Sequence, residues 1–225
     1  MRVVVMTRFA DRRDAGRRLA AALKSYAAER PIVLALPRGG VPVGYEVARA
    51  LGAPLDVCVV RKIGVPWHPE LGMGAVAEGG HVYLSRELIA RLGVSDDELS
   101  EAVERQQREV EARVRRFRGD RPRLHLTGRT VLLVDDGIAT GGTVRAVIEA
   151  IRAESPKRVV LAVPVAAAST LEELAREVDD VVALLSPPAL YAIGLWYEDF
   201  AQVPDEEVVR LLALTRLECD HPELR

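Results

Sequence analysis

Residues 131–143 read Val-Leu-Leu-Val-Asp-Asp-Gly-Ile-Ala-Thr-Gly-Gly-Thr, and they are the most informative stretch of the sequence. The four apolar residues from Val131 to Val134 predict a buried strand. Two adjacent carboxylates, Asp135 and Asp136, follow at the point where that strand ends. Apolar residues at helical spacing come after the glycine–threonine turn and predict a helix. The stretch therefore predicts a strand, an acidic pair, a turn of small residues and a helix in succession.

The turn at residues 137–143 has the composition of a site that binds an anion. Glycines let backbone N–H groups approach a phosphate closely, and the N-terminus of the following helix favours its negative charge. Thr140 and Thr143 add hydroxyl donors. Asp135 and Asp136 would repel that phosphate, so they suit neighbouring sugar hydroxyls or a Mg²⁺ held near a polyanion. A ribose 5-phosphate offers both kinds of group.

The same segment closely resembles the signature of the type I phosphoribosyltransferases, in which an apolar strand and two acids precede a loop ending in Thr-Gly-Gly-Thr. The resemblance implies that 5-phosphoribosyl 1-pyrophosphate (PRPP) is the substrate and that Mg²⁺ accompanies it. Asp135 and Asp136 would hold the ribose hydroxyls, act in catalysis and reach the metal through PRPP or water. The 5-phosphate would lie on the loop formed by Gly137, Ile138, Ala139, Thr140, Gly141, Gly142 and Thr143.

Other phosphate-binding loops match this segment less well. No Gly-Lys-Ser/Thr follows a strand, and no G-x-G-x-x-G occurs in the chain. A plain strand-to-helix turn with a capping threonine would explain the turn itself. It would not explain two aspartates at the end of a strand, which favours the functional interpretation.

Composition limits the classes of function. The chain has 225 residues, is 49% hydrophobic and carries a net charge of −2, which predicts one sizeable core and argues against nucleic-acid binding. Cys58 and Cys219 provide neither a disulfide framework nor a metal-binding spacing, and Cys58 is expected to be a small buried residue. No signal peptide is visible, and the longest apolar stretch is far shorter than the roughly 20 residues of a membrane span. We therefore expect a cytoplasmic protein that does not bind membranes.

Strand and helix patterns alternate along the chain, as in an α/β fold whose parallel sheet is flanked by helices. We predict a single domain over residues 1–225. The predicted strands are 32–36, 55–60, 131–135, 158–163 and 181–185. The predicted helices are 11–29, 41–51, 95–118, 171–178 and 205–214.

Two segments are predicted to extend this core. A helical insertion at about 85–120 contains a long helix that begins with Ser95 as N-cap and Glu98 three residues later. A hood is predicted from elements at about 187–215. The long helix carries an apolar stripe, which must be buried either against its own core, as an arm covering the hood, or in a homodimer. The stripe consists of Leu99, Val103, Val110, Val114 and Phe117.

Further site residues are expected at the ends of two other strands, because ligands of parallel α/β sheets bind beyond the carboxyl ends of the strands. Arg38, beside Gly39 and Gly40, suits a second anion site, and the resemblance implies that this loop binds the pyrophosphate. The second strand ends in Arg61 and Lys62, which in the family contact pyrophosphate oxygens. Arg38 and Lys62 would also act in catalysis by neutralising the leaving group.

Residues 63–80 are rich in glycine and predict a long loop, which in the family closes over the active site. His68 or Glu70 could then assist the leaving pyrophosphate or the incoming base. Trp67 is expected to be a packing anchor.

The acceptor is expected to bind at the aromatic segment from Tyr191 to Phe200. Tyr191 would stack on the base, and Trp196 would either contact the base or belong to a hydrophobic minicore. Ala139 stands where 6-oxopurine enzymes of the family carry an aspartate. A proton for the acceptor would therefore come from Glu198, Asp199 or a loop residue.

We interpret the sequence as a phosphoribosyltransferase that transfers the 5-phosphoribosyl group from PRPP to a nitrogenous base and releases pyrophosphate. A PRPP-binding regulator without catalysis is the alternative from another class. An unrelated sugar-phosphate hydrolase or kinase with a similar phosphate site is the third interpretation, but the sequence offers no evident nucleophile or base for it. Fold alone does not decide among them.

Overall fold

The structure is a computed structural model that describes residues 8–220, with side chains through residue 216. Two short 3₁₀ helices lie at Lys24–Glu29 and Ile193–Trp196. The strands are β1 (Ile32–Ala35), β2 (Leu55–Val57), β3 (Val60–Val65), β4 (His68–Ala77), β5 (Val82–Leu84), β6 (Thr130–Val134), β7 (Arg158–Val165) and β8 (Asp180–Leu185). The helices are α1 (Arg12–Ala22), α2 (Gly40–Leu51), α3 (Arg86–Leu92), α4 (Asp96–Arg118), α5 (Gly142–Ala153), α6 (Ala168–Leu174) and α7 (Asp205–Asp220).

A parallel sheet of five strands forms the centre of the molecule, in the order β2-β1-β6-β7-β8. Different helices cover its two faces. Successive side chains of a strand point to opposite faces, so neighbouring residues of one strand pack against different helices. In β6, Val131 and Leu133 pack in the cluster that contains α5. Leu132 and Val134 pack in the cluster that contains α1 and α2. The predicted fold class, a parallel sheet flanked by helices, is confirmed.

The prediction for residues 55–80 was wrong in two respects. The second strand of the parallel sheet ends at Val57, and the chain then enters a separate antiparallel sheet of β3, β4 and β5. The expected glycine-rich loop at 63–80 is therefore mostly strand. A continuous apolar run does not reveal where one sheet ends and another begins.

Close backbone contacts explain why this glycine-rich segment forms strands. A Cβ at Gly64 would lie 2.2 Å from the carbonyl oxygen of Pro69, and one at Gly74 would lie 2.4 Å from that of Tyr83. The β3–β4 register shifts at Gly64, where the strand is irregular. Glycine inside a strand marks such a bulge or close approach, so these glycines allow tight pairing instead of a loop.

The helical insertion has the predicted long helix, α4, and its start is capped as expected. The Ser95 side chain accepts from the Glu98 N–H, and the Glu98 carboxylate accepts from the Ser95 N–H, which completes a capping box. Helix α4 packs against β3, β4 and α7. Val110 and Phe117 are buried in that core, and the other three stripe residues pack against it. The stripe is thus covered within this chain.

Val110→Asp should unfold the insertion, because it would bury an unpaired charge in this cluster. We expect the free energy of unfolding to fall by about 4 kcal/mol or more. Glu109→Ala, at the exposed neighbouring position, should change it by less than about 0.5 kcal/mol. Urea titration measures both variants. A stable Val110→Asp variant that sediments at a lower mass than wild type would place the stripe in a subunit interface instead.

The remaining helices differ from prediction mainly at their ends. Helix α1 stops at Ala22 and continues as a 3₁₀ helix, α6 begins and ends several residues before the predicted 171–178, and α7 runs past residue 214. Cys58 is fully buried as expected, and burial raises the pKa of its thiol to about 12. The side chain of Cys219 lies outside the described residues.

A buried ion-pair network joins the insertion to both sheets. The guanidinium of Arg118, at the end of α4, is 5% exposed. It donates to Asp56 Oδ1 on β2 at 3.0 Å and to the carbonyl oxygen of Val57 at 2.9 Å. It also donates to both carboxylate oxygens of Glu78, which follows β4. Each charge is therefore paired in the interior, as a buried charge requires.

Candidate active site

Strands β1 and β6 of the central sheet bring the two predicted anion-binding loops together. Strands β1 and β6 are neighbours, with Ala35 opposite Val134. The segments that follow them, 36–40 and 135–143, therefore leave the same edge of the sheet. A Cβ at Gly40 would lie 2.9 Å from Asp135 Cα, so the two segments are in direct contact.

A cavity of 160 Å³ lies at this edge, where α5 begins. One carboxylate, one ammonium group and the small residues of the phosphate-loop signature surround it. Gly141 precedes α5 with φ of +73°, a conformation that favours glycine. Gly142 begins the helix, and no atom lies within 4 Å of where its Cβ would be. The lining residues are Lys62, Asp135, Gly137, Ile138, Ala139, Thr140, Gly141, Thr143 and Val144.

Two contacts hold the loop in place against the next strand and helix. The Ile138 N–H donates to the carbonyl oxygen of Val165 at 3.0 Å, and the Thr170 hydroxyl donates to that of Ala139 at 2.7 Å. The Ile138 N–H is therefore already engaged within the protein. Of the predicted phosphate donors, the groups after it are the better candidates. The positive end of the α5 dipole lies among them.

The two aspartates occupy different environments. Asp135 lines the cavity, and its Oδ1 accepts from the backbone N–H of Asp136 at 2.8 Å. The carboxylate of Asp136 accepts from Arg12 Nε at 2.7 Å. Burial and the neighbouring charge of Asp136 raise the pKa of Asp135 well above its ordinary value. Burial also raises the pKa of Asp136, although Arg12 opposes that change.

Gly39 is needed because the Asp136 carboxylate lies against it. A Cβ at this position would be 2.0 Å from Asp136 Oδ2 and 3.2 Å from Arg12 Nε. Gly39→Ala should therefore displace the carboxylate and lower the free energy of unfolding by about 1–3 kcal/mol. Gly142→Ala is the matched control, since open space surrounds that position. Equal stability of the two variants in urea titrations would contradict this account.

Arg12 was not predicted from the sequence as a site residue. Its side chain is 12% exposed and contacts the acidic pair from the start of α1. Nothing in the sequence distinguishes Arg12 from the many other arginines. The preceding residues, Phe9 and Ala10, form backbone hydrogen bonds with residues 196–199 and so hold the N-terminal segment against the predicted hood.

The basic residues expected at the pyrophosphate divide into separate groups. Lys62 lines the cavity. Arg61 is not among the residues that line the cavity. Because side chains alternate along a strand, Arg61 points to the opposite face of β3, the face on which Ile63 packs against helix α4. Arg38 follows a cis peptide bond, and its Nη1 lies 3.4 Å from Asp205 Oδ1 at the start of α7. The roles of Arg38 and Arg61 stay predictions.

The residues expected to contact the acceptor are not gathered around this cavity. Tyr191 is 91% exposed. Trp196 packs in a small cluster with Phe9, Tyr197 and Phe200, which is the minicore alternative. The possible proton donors are likewise exposed on the surface, and none lines the cavity; they are His68, Glu70, Glu198 and Asp199.

Comparison with known proteins identifies the class to which this fold and site belong. The family model "Phosphoribosyl transferase domain" matches residues 75–189. The chain therefore belongs to the phosphoribosyl transferase family. This confirms the resemblance that the acidic pair and its loop had indicated.

Two individual proteins are similar over most of the chain. A Mycobacterium tuberculosis protein named "Putative phosphoribosyl transferase" is 46% identical over 208 residues, covering 92% of this chain and 47% of its own length. The chain thus spans about half the length of this relative. The crystal structure of TT1426 from Thermus thermophilus is 45% identical and has a TM-score of 0.79, covering 91% of this chain and 97% of that one.

Within residues 8–220, no helix is both long and apolar enough to cross a membrane. The same described part of the chain contains no group of three or more His, Cys, Asp or Glu residues placed to bind a metal ion.

Proposed function

We propose that the chain transfers the 5-phosphoribosyl group of PRPP to a nitrogenous base and releases pyrophosphate. The observation that carries this proposal is the cavity at the start of α5, where Asp135, Lys62 and the loop from Gly137 to Thr143 meet. A phosphate fits the loop and helix N-terminus, a ribose fits the carboxylate, and a pyrophosphate fits the ammonium group.

The chemistry asked of the chain is mainly positioning and electrostatics. The loop and α5 hold the 5-phosphate and fix the sugar. The Asp135 carboxylate accepts from ribose hydroxyls and favours the positive charge that develops on the sugar as the bond to pyrophosphate breaks. Lys62 neutralises charge on the leaving pyrophosphate. Exclusion of water from the site would prevent hydrolysis of PRPP.

The acidic pair also fits a Mg²⁺ shared with PRPP. Carboxylate oxygens are the ligands that Mg²⁺ prefers, and it is usually bound by one or two carboxylates together with substrate phosphates. Burial raises the pKa of both carboxyl groups, so a nearby cation would offset the cost of ionising them. Asp135 and Asp136 would reach the ion through PRPP or water. When bound, it would supply charge neutralisation at the pyrophosphate.

A PRPP-binding regulator is the second candidate, and one observation favours it. Tyr191 is almost fully exposed, so no base-stacking position is formed around it. A protein that only senses PRPP would need the cavity but no site for a base.

Pyrophosphate release from PRPP and Mg²⁺, measured across purine, pyrimidine and other nitrogenous acceptors, distinguishes the two candidates. We expect release that depends on one class of base. Because Ala139 replaces the aspartate of 6-oxopurine enzymes, we expect poor turnover of hypoxanthine and guanine. Efficient turnover of hypoxanthine would overturn that preference. Tight PRPP binding without turnover of any base would instead establish the regulator.

A further inference from the structure

We propose that Arg12 is a positioning residue for the acidic pair, which rests on the proposed function of that pair in binding PRPP. Arg12 would hold the Asp136 carboxylate, and through the backbone of Asp136 it would orient the Asp135 carboxylate that lines the cavity.

Arg12 joins three parts of the structure. Its Nε donates to Asp136 Oδ2 at 2.7 Å, and its Nη1 donates to the carbonyl oxygen of Ala201 at 2.7 Å. The guanidinium lies over the ring of Phe200, 3.8 Å from its centroid. These contacts link helix α1, the acidic pair and the segment that leads to α7. Stacking and hydrogen bonding together fix the plane of the guanidinium.

Asp136 is held at both its side chain and its backbone. Arg12 holds the carboxylate, and the buried hydroxyl of Tyr197 donates to the Asp136 carbonyl oxygen at 2.5 Å. The absence of a side chain at Gly39 leaves room for the carboxylate in this orientation. Asp136 is therefore fixed by residues from the N-terminal helix and the predicted hood, and its own side chain is not among those that line the cavity.

The fixed Asp136 in turn orients Asp135. The backbone N–H of Asp136 donates to Asp135 Oδ1 at 2.8 Å, and Asp135 does line the cavity. A continuous series of contacts thus runs from Arg12 through Asp136 to the carboxylate that lines the cavity. A lysine at position 12 would keep the charge, but it lacks the planar fork that makes two directed bonds while stacking.

A double-mutant cycle between Arg12→Met and Asp136→Asn tests this role, with Mg²⁺-PRPP affinity measured by calorimetry. If Arg12 acts through Asp136, Arg12→Met should weaken binding by about tenfold in the wild-type background and far less in the Asp136→Asn background, since residues in one network are not additive. A purely structural role would weaken binding equally in both backgrounds. The melting temperature of each variant is recorded alongside.

Arg13→Met is the matched control. Arg13 is the next residue on the same helix and pairs with Glu46 and Glu207 instead of the acidic pair. It should therefore change stability without changing PRPP affinity. If Arg12→Met fails to fold, the same cycle is measured with Arg12→Lys, which keeps the positive charge and removes the planar guanidinium.

The outcomes separate this inference from the proposed function. PRPP binding by wild type together with a non-additive cycle supports both. If wild type binds PRPP but the cycle is additive, or Arg13→Met loses as much PRPP affinity as Arg12→Met, only the role of Arg12 is overturned. A wild-type protein that binds neither PRPP nor ribose 5-phosphate overturns the proposed function and, with it, this inference.

Discussion

Asp135→Asn is expected to weaken binding of Mg²⁺-PRPP by at least about tenfold, because a hydrogen bond to a charged group contributes about 1.5–3 kcal/mol. The asparagine keeps an oxygen that accepts from the Asp136 N–H, so the loop should keep its conformation. Inorganic phosphate would bind the loop and gains no hydrogen bond from the carboxylate, which repels it. Its binding should therefore not weaken, and calorimetry with both ligands measures the difference.

The same variant should be at least as stable as wild type at neutral pH. Burial and the Asp136 charge raise the folded-state pKa of Asp135 above its unfolded value. The resulting stability is fully present below the unfolded pKa and is lost as pH rises through the folded pKa. Asparagine cannot ionise and avoids this loss. The stability difference between variant and wild type should consequently grow from acid to neutral pH.

Asp120→Asn serves as the control, because Asp120 is exposed beyond the end of α4. It should change neither PRPP affinity nor the dependence of stability on pH. Undiminished PRPP affinity in Asp135→Asn would refute the role assigned to this carboxylate. A variant that is less stable than wild type at neutral pH would contradict the electrostatic part of the account.

Arg118→Met is expected to lower the free energy of unfolding by about 3–5 kcal/mol, the usual consequence of removing one partner of a buried ion pair. Methionine fills part of the space but leaves Asp56 and Glu78 without their shared cation. Denaturant titration measures this loss.

The matched control is Arg108→Met on the exposed side of the same helix. Arg108 lies 3.7 Å from Glu104 as an exposed pair, and such pairs contribute less than about 1 kcal/mol. A similar loss in the two variants would mean that the effect comes from helix α4 itself and not from the buried network.

The central sheet and the loop that follows β6 could be predicted because their signals are local. The run from Val131 to Val134 is fully buried in β6, and Asp135 follows it as the signature requires. Ser95 and Glu98 likewise lie within one helical turn and specify the start of α4. In each case, neighbouring residues contain the information that determines the structure.

The β3–β4 hairpin and Arg12 could not be predicted, because long-range contacts determine them. Gly64 suits a strand only because Pro69 lies against it after the chain has turned back. Arg12 reaches Asp136 across 124 positions of sequence, through a helix that carries several similar arginines. Such partners become visible only when the fold has brought them together.

The segment of the predicted hood from Tyr191 to Phe200 was predicted only in part. The aromatic residues near the end of the last strand were noticed, but their side chains have separate roles. Tyr197 is buried and holds Asp136, whereas Tyr191, the expected stacking residue, is exposed. Aromatic composition indicated that the segment is important and did not reveal which ring faces inward.

A crystal structure of the protein with Mg²⁺ and PRPP tests the central claim most directly. We expect the 5-phosphate to lie at the start of α5, within hydrogen-bond distance of backbone N–H groups between residues 139 and 143. The ribose hydroxyls should lie on Asp135, and the pyrophosphate should lie towards Lys62. A phosphate bound elsewhere, or a cavity without PRPP in crystals grown at saturating concentration, would contradict the account.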